Sequence, residues 1–82
     1  MTPAQIEQLI KTALPEAQVK VQSGDNTHFS ALIVSDAFTG KRTLQRHQLV
    51  YAALGSRMGH EIHALTMQTL TTAEAQSQSV QQ

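Results

Sequence analysis

The chain has no cysteine. That absence excludes disulfide staples, thiol catalysis, and any zinc or iron-sulfur site built from its own thiolates. It also has no excess of charge: six Lys/Arg balance six Asp/Glu, for a formal net charge of zero. Bulk charge therefore indicates neither a general nucleic-acid binder nor a membrane-surface protein, and electrostatic recognition has to come from local placement. No run approaches the roughly 20 apolar residues of a membrane span. The opening MTPAQIEQLIKTAL has no basic region followed by an apolar core, so a cytoplasmic protein with no membrane partner is the expectation. Catalytic signatures are missing too. There is no nucleophile elbow and no Gly-x-Gly-x-x-Gly, and the acidic residues are scattered over turns and helix surfaces where acid/base chemistry would need them paired. Gly40-Lys41-Arg42-Thr43 matches the end of a phosphate-binding loop, but position 35, where the first glycine of that motif belongs, is Ser35. Nucleotide hydrolysis is excluded, and a non-enzymatic role is expected.

What is present fits one small domain. At 82 residues with 40% hydrophobic content, the chain can build a modest core and has no room for a second one. Thr2-Pro3-Ala4-Gln5 is a capping-box start with proline at the first helical position. Ile6, Leu9, Ile10, Ala13 and Leu14 then recur at helical spacing until Pro15 ends the pattern. Val19 and Val21 alternate with polar residues, Gly24-Asp25-Asn26-Thr27 supplies a turn, and HFSALIVS continues as a more buried, β-branched run, which together predict a β-hairpin. Residues Asp36 to Thr43 read as a loop with a short turn, followed by a helix from about Thr43 to Met58 that Gly55 and Gly59 bracket. Thr71-x-x-Glu74 is a second capping box, for a short last helix. The Gln/Ser-rich residues 76–82 are expected to form a disordered tail beyond a folded domain of residues 1–75.

Two faces of the second helix matter. At about 100° per residue, Leu44, His47, Val50, Tyr51, Leu54 and Met58 share one side, the expected core side, with His47 as a core histidine hydrogen-bonded through its ring. Arg42, Arg46 and Arg57 share another, with Lys41 beside them, and form the chain's basic edge. The segment GHEIHALTMQTL poses a sharper question, because His60-x-x-His63 resembles a metal-chelating pair. From Ile62 onward, apolar and polar residues alternate with a period of two, which fits a strand. Positions three apart in a strand point to opposite faces, so the pair loses its support as a chelate. His60 is expected in a solvated loop, His28 at the hairpin, and His63 at the start of the third strand. The order helix, hairpin, helix, strand defines an α+β domain with a three-stranded sheet.

Residues 24–71, GDNTHFSALIVSDAFTGKRTLQRHQLVYAALGSRMGHEIHALTMQTLT, resemble the BolA-like proteins. The likeness lies in the Gly-Asp turn before "HF", the F-x-G loop, Q-R-H-Q-L-V-Y-A-A-L and the strand I-H-A-L-x-M-x-T. It covers residues 5–75 and is greatest for the small bacterial branch called IbaG. The resemblance implies an α-β-β-α-β fold akin to the second type of KH domain, with the sheet packed against helices. It also implies partnership with a monothiol glutaredoxin across a bridging 2Fe-2S cluster, in iron-sulfur trafficking or iron sensing. The family's strand histidine, a cluster ligand, matches His63. Its second ligand comes from the loop between the first two strands, where His28 is the candidate and Asp25 or a solvent ligand the alternative. A cysteine-free chain can give imidazole to such a cluster, while the glutaredoxin and its bound glutathione complete the set with thiolates, and imidazole ligation raises the reduction potential. The rival reading is a transcriptional regulator that binds DNA or RNA through phosphate contacts from Lys41, Arg42, Arg46 and Arg57. Against it stand the zero net charge and Gly55-Ser56-Arg57-Met58-Gly59 in place of a KH-type Gly-x-x-Gly loop. Taken alone, the chain is expected to be a monomer or a weak homodimer.

Overall fold

Both capping boxes form. Gln5 N–H donates to Thr2 Oγ1 (3.3 Å) and Thr2 N–H to Gln5 Oε1 (2.8 Å), which satisfies two donors that a helix start leaves without intrahelical partners. Helix α1 spans Pro3–Ala13 and buries Ile6 and Ile10 completely. It stops where Pro15 approaches, with the Leu14 N–H on the Ile10 carbonyl. These elements belong to a computed structural model that describes residues 1–62 and 64–80.

Strand β1 (Gln18–Gln22) and strand β2 (His28–Val34) pair antiparallel, from Gln18 opposite Val34 to Gln22 opposite Ser30. Within HFSALIVS, expected to be the more buried run, burial alternates. Phe29, Ala31 and Ile33 are buried while His28, Ser30 and Leu32 are exposed, because α1 and the next long helix cover one face of the sheet and the other meets solvent. β1 is an edge strand, and Glu7 on α1 accepts the Val21 N–H at 2.9 Å, which occupies a donor that an uncovered edge would offer to another chain.

A 3₁₀ turn at Asp36–Phe38 follows, capped by Ser35, and sets Phe38 in the core with no exposure. Ser35 is itself buried and donates to Glu16, so its hydroxyl is satisfied. Helix α2 spans Thr43–Leu54 and a 3₁₀ turn, Gly55–Arg57, continues it. The expected end at Met58 is therefore four residues late: Gly55 sits at φ +59°, a left-handed conformation that glycine adopts without penalty and that ends the α-helix.

The expected core face of α2 also needs correction. Val50 and Leu54 are fully buried, yet Leu44 is 67% and Tyr51 40% exposed. His47 is half-buried, its ring edge-on to Tyr51 with centroids 6.5 Å apart, and is not a core histidine. The helix is rolled toward Arg46, Leu49 and Ala53, all half-buried. On that side the Arg46 guanidinium turns inward over the Phe38 ring, 5.8 Å from its centroid.

Ile62, fully buried, leads into strand β3 (Ala64–Leu70), which runs parallel to β2 from His28 opposite Ala64 to Val34 opposite Leu70. The sheet order is β1-β2-β3. A parallel neighbour requires a crossover, and α2 with its flanking turns provides it. Leu65, Met67 and Thr69 face the core side, Thr66 and Gln68 the solvent, as the period of two predicts. Thr71 N–H donates to Glu74 Oε1 (2.8 Å) and Glu74 N–H to Thr71 Oγ1 (3.2 Å), and helix α3 spans Thr72–Val80. It runs through residues 76–80, where composition alone predicts a disordered tail. Among the described residues no helix is long and apolar enough to cross a membrane.

Candidate functional site: the turn between β1 and β2

One carboxylate organises this turn. Asp25 Oδ1 accepts the N–H groups of Thr27 and His28, both at 2.9 Å, and its Oδ2 lies 2.9 Å from His28 Nδ1. Ser23 Oγ donates to the His28 carbonyl at 2.7 Å and accepts the Asn26 N–H at 2.9 Å. Asn26 takes φ +56°, a left-handed position that asparagine tolerates. The donors aimed at Asp25 hold it well below the usual carboxylate range: the His28 backbone N–H first, then the His28 ring, then the Thr27 N–H. An anion that collects N–H groups in this way stays an anion.

His28 opens β2 with its side chain 68% exposed. Nδ1 is engaged by Asp25, which leaves Nε2 as the nitrogen available to a ligand. Beside it is an open concavity of about 530 Å³ whose lining includes Ser23, Gly24, His28, Phe29, Ala64 and Thr66. The register explains why β3 contributes: Ala64 is the Cα partner of His28, and the Ala64 N–H bonds to the Thr27 carbonyl. His63, the predicted strand ligand, lies outside the described residues. Asp25, the alternative second ligand, accepts the turn's N–H groups on Oδ1 and meets the His28 ring with Oδ2. The sequence offered a signal for that role in Ser23-x-Asp25-x-x-His28, a spacing at which a short carboxylate reaches the N–H groups two and three residues on. Among the described residues no group of three or more His, Cys, Asp or Glu is placed to hold a metal ion.

The basic edge divides. Lys41 and Arg42 are exposed at the start of α2. Arg46 is committed internally: Nε donates to the Lys41 carbonyl (2.8 Å), Nη1 to the Thr69 carbonyl (3.0 Å) and to Glu74 Oε1 (2.7 Å), and its side chain is 12% exposed. Glu74 is lowered to about 2, chiefly by the Arg46 hydrogen bonds and then by the Thr71 N–H. Arg57 lies past the other end of α2, half-buried beside Met1, Gln5 and Leu9. The residues expected to form one phosphate-binding edge are thus a pair of exposed cations, a structural tie, and a cation at the α1 side. His60 is exposed in the turn before β3, as expected.

Three helices and a mixed three-stranded sheet with a histidine-bearing turn at one end define a small α+β domain. The model of the family described as BolA-like protein matches residues 2–74, and the chain belongs to that family. It is 41% identical over 54 residues to the DNA-binding transcriptional regulator BolA of Escherichia coli (strain K12), a match covering 66% of this chain and 51% of that protein. The chain thus spans about half the length of that relative. A BolA protein homologue from Coxiella burnetii has the same fold, with a TM-score of 0.78 at 44% identity over 93% of this chain and 97% of that one. Yeast Fra2 matches with a TM-score of 0.77 at 28% identity over 99% and 90% of the two chains.

Proposed function

We propose that this protein is a non-enzymatic adaptor that pairs with a monothiol glutaredoxin and shares a bridging 2Fe-2S cluster with it, in iron-sulfur trafficking or iron sensing. The observation that carries the reading is an exposed imidazole held by one nitrogen, His28, in a BolA-like chain without cysteine. Such a chain fits half of a ligand set and no more. It can give neutral nitrogen donors from His28 and His63, while the thiolates come from the glutaredoxin and its glutathione. When bound, the cluster supplies one-electron chemistry at a potential that imidazole ligation raises. The protein's own part is to hold the His28 ring by its far nitrogen, as metal-bound histidines usually are held, and to offer an apolar concavity at its side.

The test is anaerobic reconstitution with a monothiol glutaredoxin and glutathione, followed by visible circular dichroism for wild type, His63→Ala and His28→Ala. A spectrum distinct from that of the glutaredoxin alone, lost or altered in the histidine variants, is the expected result. A spectrum identical to the glutaredoxin homodimer's, with or without this protein, refutes it.

The name of the Escherichia coli relative favours a second reading, DNA binding. Here Lys41 and Arg42 would carry the phosphate contacts, with Arg46 unable to join without leaving Glu74. A shallow dependence of binding on salt follows from so few contacts. Binding with that shallow dependence that is lost in Lys41→Ala with Arg42→Ala supports this reading, and binding that is absent or survives in the double variant refutes it.

A further inference from the structure

Resting on the shared-cluster reading, we propose that Asp25 is a positioning residue: its carboxylate keeps the His28 proton on Nδ1, so that Nε2 presents its lone pair outward as the metal donor. An ionised carboxylate only accepts hydrogen bonds, so the 2.9 Å contact between Asp25 Oδ2 and His28 Nδ1 places the proton on that nitrogen. An imidazole as exposed as this one would otherwise turn through its rotamers and exchange tautomers. Two contacts fix the backbone beneath it and one holds the ring. Asp25 Oδ1 takes the His28 N–H, Ser23 Oγ donates to the His28 carbonyl, and Asp25 Oδ2 takes the ring.

The same carboxylate therefore fixes backbone and ring together. Stability is a poor explanation for the arrangement, since exposed ion pairs contribute little. Its specific consequence is orientation and tautomer, the service that a carboxylate behind a metal-bound histidine performs. Both Asp25 oxygens make hydrogen bonds within the turn, which places the carboxylate behind the His28 ring.

Asp25→Asn tests this. The asparagine oxygen can still accept from Thr27 and His28, which keeps the turn, but its NH₂ now faces Nδ1 and donates. The ring proton must move to Nε2, where it blocks a metal, the same inversion that an Asp→Asn change produces behind a catalytic histidine. We would read the His28 tautomer by ¹⁵N NMR in the metal-free protein at pH 9, where imidazoles are neutral. We would then reconstitute the cluster with glutaredoxin and glutathione. The expected result is Nδ1–H in wild type and Nε2–H in Asp25→Asn, with Asp25→Ala between them. Shared-cluster formation should fall about 10- to 100-fold in Asp25→Asn, with the residual spectrum resembling that of His28→Ala.

A wild-type ring protonated on Nε2 overturns the proposal with no variant needed. So does a switched tautomer that leaves the cluster spectrum unchanged. If wild type forms no mixed cluster, the underlying reading fails and takes the donor role with it. The tautomer, measured in the protein alone, then still reports whether Asp25 sets the ring.

Discussion

Replacing Arg46 with alanine should destabilise the fold far more than a surface cation would. The Thr69 carbonyl, on a residue only 8% exposed, loses its Arg46 donor, and an unsatisfied buried acceptor costs about 1–3 kcal/mol. The cation lying over the Phe38 ring and the stem beneath it contribute roughly 0.5–2 kcal/mol more. The Lys41 carbonyl is at an exposed residue, and water replaces that bond. The sum is about 1.5–5 kcal/mol, a large share of the roughly 4–12 kcal/mol expected for a chain of this length. In urea, followed by far-ultraviolet circular dichroism, the midpoint should fall by about 2 M, and the melting temperature by about 10 °C or more. Lys41→Ala and Arg42→Ala should each stay within about 0.5 kcal/mol of wild type. If Arg46→Ala is as mild as those two, Arg46 faces solvent and the basic edge read from helical spacing is intact. If it is severe, any loss of binding in that variant reports unfolding, and a DNA or partner contact can be tested only at Lys41 and Arg42.

Two further outcomes follow from local structure. Gly55→Ala should destabilise by about 1 kcal/mol or more, read by thermal melting; an added Cβ meets nothing within 4 Å, so the cost comes from φ +59° alone, and an unchanged melting temperature would refute that conformation. Glu74, at about 2 in the fold against an ordinary 4.5, stabilises the fold above pH 4.5, and that contribution fades as the pH falls toward 2. The stability gap between wild type and Glu74→Gln should therefore be steady from pH 5 to 7, close on acidification, and shrink in salt because the carboxylate is 45% exposed; a gap that ignores pH would show that Arg46 does not hold Glu74.

Much of the fold was legible because the signals are short-ranged. Thr2 with Gln5, and Thr71 with Glu74, are capping pairs three residues apart, and their bonds need nothing beyond one helical turn. The same holds for the β1–β2 turn, where Ser23 and Asp25 bond to residues within the next five. The alternation that placed Leu65 and Met67 inward survived because strand pleat is a property of the backbone. The motifs around residues 24–71 carried the family resemblance, and the family match over residues 2–74 agrees with it. The roll of α2 was not legible. Leu44 and Tyr51 look like core residues on a helical wheel, and only the partners of Arg46, 23 and 28 residues away, say otherwise.

The sequence by itself therefore determined the element order, both capped helix starts, the inward residues of β1 and β3, and the absence of thiolates that makes any cluster a shared one. Only the tertiary structure decided that β3 lies parallel beside β2, bringing Ala64 opposite His28. It alone turned Arg46 from a surface cation into a tie between α2, β3 and α3, and chose which His28 nitrogen faces Asp25. The physical reason is range: caps, turns and periodicity are settled among residues a few positions apart, whereas strand order, helix roll and the surroundings of a side chain depend on which distant segments close around it.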